Sequence, residues 1–283
     1  MSEGTPAVAL LREAAALVYV ANLESPALDA GDAHHLSTVL RLQAGEVVAI
    51  SDGAGRYRGC RVAGGAEARR SERRRARPAT ITLVPDTDVS TLARVGPLLT
   101  VGFSLAKGDR TDWAVAKLSE LGIDRIVPLL CERTAVRWGP QAAAHQHRRL
   151  QRIARESSMQ ARRVWLPEIV ELTLLAQAPS LLGAGGGWAG GGEVGVSGAG
   201  GGVALAEPGG GRLSLATSAV LVGPEGGFTD RELGTGLPRV SLGDTILRIE
   251  TAAIVAGAIL AGLRGGYVGA QQGIEAPAVT PDR

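Results

Sequence analysis

Apolar residues in the first third of the chain come in short runs set apart by polar turns. Residues 17–20, 47–50, 57–62 and 80–84 are rich in Val, Ile, Leu and Tyr and are bounded by turn dipeptides such as Asp52-Gly53 and Gly64-Gly65. Runs of that length predict strands, and their succession predicts a small, mostly β domain. One helix is expected to interrupt it: Asp32 can cap a segment whose Leu36, Val39 and Leu40 fall on one face. Beyond Pro97 the period lengthens. Residues 98–105 read as a buried strand, 111–121 as a helix closed by Gly122, and 123–130 as a second strand. Strand, helix, strand implies a parallel sheet and an α/β fold class. Residues 141–160 form a long helix whose polar face carries Arg148, Arg149, Arg152 and Arg155; 219–222 read as another buried strand and 252–263 as an apolar helix.

A length of 283 residues suits two domains, and 45% hydrophobic with 20% charged residues excludes a wholly disordered chain. The 40 glycines are clustered, with fifteen of them in residues 183–211, around an apolar island at 203–206 that reads as a strand. The stretch at about 183–202 is expected to be a flexible insertion, because it cannot bury enough surface to offset its ordering entropy. The domain boundaries expected on this pattern are 1–88 and 95–268, with 269–283 a disordered tail.

Thirty basic against 28 acidic residues leave a net charge of +2, so local clustering, not total charge, must decide whether nucleic acid is bound. Six arginines in residues 69–77, Arg73, Arg74 and Arg75 among them, form an exposed loop that either touches phosphates or is simply solvated. Cys60 and Cys131 stand alone, without the spacing of a disulfide framework or a zinc site, so no metal is expected and a reducing cytoplasm fits. Residues 252–263, the longest apolar run, fall short of the roughly 20 needed to span a bilayer, and the first residues lack the organisation of a signal peptide. No membrane association is expected.

Candidate chemistry gathers near the carboxy-terminal end. The strand at 219–222 runs into Gly223-Pro224-Glu225-Gly226-Gly227, a loop that can present backbone groups to a ligand, and Thr229-Asp230-Arg231-Glu232 then makes a capping box opening a helix. Taken alone, such a turn is more often structural than functional, and neither a dinucleotide fingerprint nor a Walker A loop is present. A second loop, Leu242-Gly243-Asp244-Thr245-Ile246-Leu247-Arg248-Ile249-Glu250-Thr251, enters the apolar helix. Two strand-end loops side by side would make a pocket.

Together the two loops resemble the signature of the RsmE family, SPOUT-class enzymes that methylate N3 of a uridine in small-subunit (16S) ribosomal RNA using S-adenosylmethionine. His35-Leu36-x-x-Val39-Leu40-Arg41 and Asp52-Gly53 are similar to the family's PUA-like amino-terminal domain. Lys107-Gly108-Asp109-Arg110, Lys117-x-x-Glu120-Leu121-Gly122, Glu132-Arg133 and Gln160-x-x-Arg163 are similar to its catalytic domain. Met159, Arg162 and Ile249 depart from the family pattern. The resemblance implies a SPOUT-type parallel sheet with a carboxy-terminal trefoil knot, preceded by a small PUA-like β-barrel domain, and a homodimer acting on the small ribosomal subunit or its RNA. It implies a cofactor site at Leu221, Gly223, Pro224, Glu225 and Gly226 of the first loop and Leu242, Gly243, Ile246, Leu247 and Arg248 of the second.

Uracil N3 carries a proton at neutral pH, so its methylation needs a general base or donors that stabilise charge on the carbonyl oxygens. Arg248 is the leading candidate donor, with Glu250 or Glu225 as base. RNA contact is expected from Arg41, Lys107, Arg110, Arg133, Arg163 and the arginine run. Two other readings stay open: a SPOUT enzyme acting on another RNA, and a catalytically silent RNA-binding protein.

Overall fold

A computed structural model describes residues 6–64, 81–182 and 202–269, which build two sheets. Helix α1 (Pro6–Glu13) leads into a mixed sheet of β1 (Ala16–Tyr19), β2 (Val47–Ser51), β3 (Arg56–Ala63), β4 (Thr82–Pro85) and β5 (Ser90–Thr91). β1 lies parallel to β2, and the other pairs are antiparallel. Side chains alternate as strand geometry demands: Val48 and Ile50 join one buried cluster with Leu36 and Cys60, while Ala49 and Tyr57 join another against Leu11 and Val164.

Three expectations for this domain change. The pairings among the described residues follow an open path, not a closed barrel, because β3 gives one edge to β2 and shares the other between β4 and β5. β5 also carries the sheet to Thr91, past the expected boundary at 88. Helix α2 (Ala30–His34) is capped by Asp29, whose carboxylate accepts from Asp32 N at 2.7 Å. A π-helical turn over His35–Val39 follows, closed by Leu40 N on His35 O, and it rotates Val39 and Leu40 to the surface while Leu36 stays buried.

The second sheet has seven strands: β6 (Thr100–Ser104), β7 (Arg125–Leu130), β8 (Glu168–Ile169), β9 (Thr173–Leu174), β10 (Gly202–Arg212), β11 (Thr217–Val222) and β12 (Arg239–Ser241). Every pairing is parallel, in the order β12-β10-β11-β6-β7-β8, with β9 also on β7. Helices α3 (Arg110–Glu120), α4 (Pro140–Gln160) and α7 (Ile249–Arg264) cover one face through Leu118, Leu150 and Leu260. The short α5 (Ala178–Leu182), α6 (Asp230–Leu233) and Phe228 cover the other. Burial on both faces explains why β6 and β11 read as mostly apolar runs and not as an alternation of apolar and polar residues. At Gly102 a Cβ would lie 2.7 Å from Leu221 Cδ2 on the neighbouring strand, so glycine leaves room for the Leu221 side chain beside it.

The two sheets are joined through the end of α4. Ser51 Oγ donates to Val164 O, Leu166 N to Gly53 O, and Tyr19 Oη to Arg163 O. Arg155 pairs with buried Asp32 at 2.6 Å. Below the sheet, buried Asp124 accepts from Leu99 N and gathers Arg94 from the connecting segment and Arg264 from the end of α7.

Candidate functional site

Parallel strands open their carboxyl ends on one rim, and three of them converge there. The exits of β10, β11 and β12 surround a cavity of about 340 Å³, within the usual range for a small-molecule site. From the first loop Gly223, Pro224, Glu225 and Gly226 line it; from the second, Leu242, Gly243, Ile246 and Leu247 do. Val222, Ile249 and Ala252 add apolar wall. Leu221 is fully buried among Val203 and Leu205 and does not reach the cavity, because alternate residues of a strand face opposite ways. Arg248 is the exposed N-cap residue of α7 and does not line it either.

The loops hold their shape from within. Thr229 Oγ1 and Glu232 form the capping box, and Gly227 N closes a turn on Pro224 O at 2.8 Å. Gly227 and Gly243 take φ of +69° and +144°, conformations that favour glycine, with nothing near the position a Cβ would occupy. Gly223 is constrained differently: its Cβ would meet the Phe228 ring at 3.1 Å, so the demand for glycine there comes from the protein's own packing.

Sequence reasoning missed a third wall. Between Ala206 and Gly211, both of which pair with Val240, β10 makes an excursion that carries Glu207 and Pro208 to the cavity. At Gly210 a Cβ would clash with Val240 N at 2.6 Å, so the return of the chain requires glycine. The signal, Glu-Pro-Gly-Gly-Gly directly after an apolar island, looks like the tail of the glycine-rich insertion. Burial raises the Glu207 carboxyl above the usual range, while Arg239 and the Phe228 main chain pull the other way.

The candidate catalytic groups sit beside this rim. Arg110 Nη1 lies 3.8 Å from both Glu225 Oε1 and Glu250 Oε1, bridging the two loops. Glu225 is 48% exposed; Glu250 is buried, and its Oε2 has no hydrogen-bond partner.

The arginines expected to face RNA divide. Arg41, held at φ +56°, and Lys107 are exposed. Arg133 Nη1 donates to Gly226 O at 2.8 Å and Phe228 O at 3.3 Å, so it braces the first loop. Arg163 turns inward onto Ser119 O and Ile123 O at the end of α3, and burial lowers its pKa; that removes it from the RNA-facing set. Arg149, Arg155 and Arg162 are likewise engaged by Asp112, Asp32 and the carbonyls of Leu11 and Ala15, while Arg148 and Arg152 are exposed on α4, Arg152 lying 3.9 Å from Glu156. Arg73, Arg74 and Arg75 lie outside the described residues.

A sheet whose strand-end loops enclose a ligand-sized cavity, joined to a β domain, defines an RNA methyltransferase once known proteins are compared. The family model described as an RNA methyltransferase domain matches residues 96–261, and that of an RNA methyltransferase PUA domain matches 28–66. The chain belongs to the RNA methyltransferase family that the first of these models describes. It is 29% identical over 246 residues to ribosomal RNA small subunit methyltransferase E of Mycobacterium bovis, covering 81% of this chain and 83% of that protein. The protein of the same name from Synechocystis is 28% identical over 232 residues, covering 79% and 68%. In fold it is similar to ribosomal RNA small subunit methyltransferase E from Neisseria gonorrhoeae bound to S-adenosyl methionine, with TM-score 0.64 and 24% identity over 88% of this chain and 97% of that one. A probable rRNA-methyltransferase from Porphyromonas gingivalis gives TM-score 0.66 and 23% identity over 89% and 100%.

Proposed function

We propose that this protein transfers a methyl group from S-adenosylmethionine to N3 of a uridine in small-subunit ribosomal RNA, in the cytoplasm. The observation that carries this reading is the single cavity made by both signature loops, with Glu225 on its wall and Arg110 and Glu250 beside it. The cavity suits the cofactor in volume and in chemistry. Main-chain groups of the glycine loops can meet adenine and ribose edges, apolar walls can take the flat base, and Glu207 and Glu225 offer negative charge to a cationic ligand. When bound, the sulfonium supplies an electrophilic methyl group.

The chain's own task is then to place N3 in line with that methyl and to remove its proton. Glu225 is the base the geometry favours, because it is half exposed on the cavity wall, whereas Glu250 is buried. Arg248, exposed at the start of α7, is the donor assigned to a uracil carbonyl oxygen. Arg41, Lys107 and the 69–77 run would hold phosphates.

The trefoil knot belongs to the same reading and is supported by the strand order, in which β11 returns between β10 and β6 while β12 flanks β10. The homodimer is supported by α7, which has no charged residue between Glu250 and Arg264 and leaves Ile254, Val255 and Ile259 only half covered within one chain. Incubating purified protein with small subunits lacking the modification and radiolabelled cofactor, then digesting the RNA to nucleosides for mass spectrometry, should yield N3-methyluridine. Label in another nucleoside, or cofactor binding with no transfer, would refute the assignment.

A further inference from the structure

Arg110 differs from other arginines of the second domain in how it is held. Arg149 and Arg155 form close ion pairs with carboxylates, and Arg133 and Arg163 donate to carbonyls. Arg110 spends only Nε, on Lys107 O at 3.1 Å. Its Nη1 stands 3.8 Å from Glu225 and from Glu250, outside hydrogen-bond reach of either, so the terminal N–H groups remain available. A third of the side chain is exposed. Buried Glu250, one oxygen of which has no donor, supplies a fixed counter-charge behind the guanidinium.

We propose that Arg110 is a catalytic residue that reads the imide edge of the target uracil together with Glu225: the carboxylate accepts the N3 proton while the guanidinium takes an adjacent carbonyl oxygen. This rests on the uridine-N3 reading above. Moving the proton from N3 to Glu225 moves one negative charge from the carboxylate to the base, where it spreads over N3 and the carbonyl oxygens. Arg110, poised within 4 Å of Glu225, exchanges one counter-charge for the other, and Glu250 keeps it in place throughout. N3 then takes the methyl group, the bonding pair stays with sulfur, and the proton leaves exposed Glu225 to solvent. Cytosine presents no N3 proton and an amino group beside it, so the same pair disfavours it.

The test uses the full chain, R110A and R110K, and small subunits reconstituted from transcripts carrying either uridine or 5-fluorouridine, whose N3 is the more acidic. Single-turnover methyl transfer is followed at saturating cofactor, with cofactor affinity measured by calorimetry. R110A should slow transfer to uridine by about 10²–10³-fold, the usual loss for one charge-stabilising donor, with cofactor affinity within threefold of wild type. The loss should shrink at least tenfold on 5-fluorouridine, and R110K should be intermediate on uridine. Equal losses on the two RNAs, or a fall in cofactor affinity that accounts for the slower rate, would overturn the role of Arg110 alone. Wild-type protein that forms no N3-methylated base on either RNA would overturn the uridine reading beneath it.

Discussion

Replacing Arg133 by alanine separates bracing of the cofactor loop from contact with RNA. The guanidinium bridges the exit of β7 to the first signature loop through Gly226 O and Phe228 O, and Glu132 beside it is tied independently, its N–H held by Glu232 Oε1 at 2.8 Å. The capping box and the Glu232 bond survive the substitution, so the domain should stay folded. A hydrogen bond from a charged donor contributes roughly 1.5–3 kcal/mol when shielded. Arg133 is exposed, so about 1–2 kcal/mol is the fitting figure for the pair, and it falls on the ordering of the loop. Cofactor affinity should therefore weaken about 5–30-fold by calorimetry. The salt dependence of RNA binding should keep its slope, since no phosphate contact is lost. A slope lower by about one with unchanged cofactor affinity would refute the bracing role and return Arg133 to the RNA surface.

Asp124→Ala strips one buried carboxylate from Arg94, Arg264 and Leu99 N and should cost about 3–5 kcal/mol in denaturant unfolding; a loss below about 1 kcal/mol would show that solvent replaces it. Gly223→Val should weaken cofactor binding by displacing Phe228 and the loop with it, visible as altered near-ultraviolet dichroism; unchanged affinity would mean the loop tolerates the shift. Burial pushes the Cys60 thiol up to about 11 and Cys131 to about 12, so a disulfide reagent at pH 8 should label neither until urea is added. Both are protonated more readily in the folded state, so their contribution to stability is complete below about pH 9 and is lost as pH rises toward 12. Serine at all six arginines of residues 69–77 should lower the salt slope of RNA binding, and an unchanged slope would leave that loop merely solvated.

What could be read in advance follows from the range of each signal. The buried strands announced themselves as apolar runs because both faces of the second sheet are covered, and the signature loops stood out through glycine spacing. β8, β9 and β12 are two or three residues long, too short for a period to register. The arginines of α4 form one polar stripe in sequence, yet Arg155 and Arg149 reach carboxylates more than thirty residues away in the chain, a pairing that only tertiary structure supplies. The resemblance implies a cofactor role for Leu221, whose side chain strand alternation turns to the opposite layer. Glu207 escaped notice because its excursion exists only where β10 and β12 fall out of step.

The direction of β10 decides what can be attached to this enzyme. The strand starts at Gly202 and delivers Ala206 to the cavity, so the junction with the preceding glycine-rich stretch lies on the far rim of the sheet from the ligand. A fluorophore or affinity handle attached at Gly202 would sit at the opposite end of β10 from the ligand, giving a reporter of docking onto its substrate that starts away from the methylating rim.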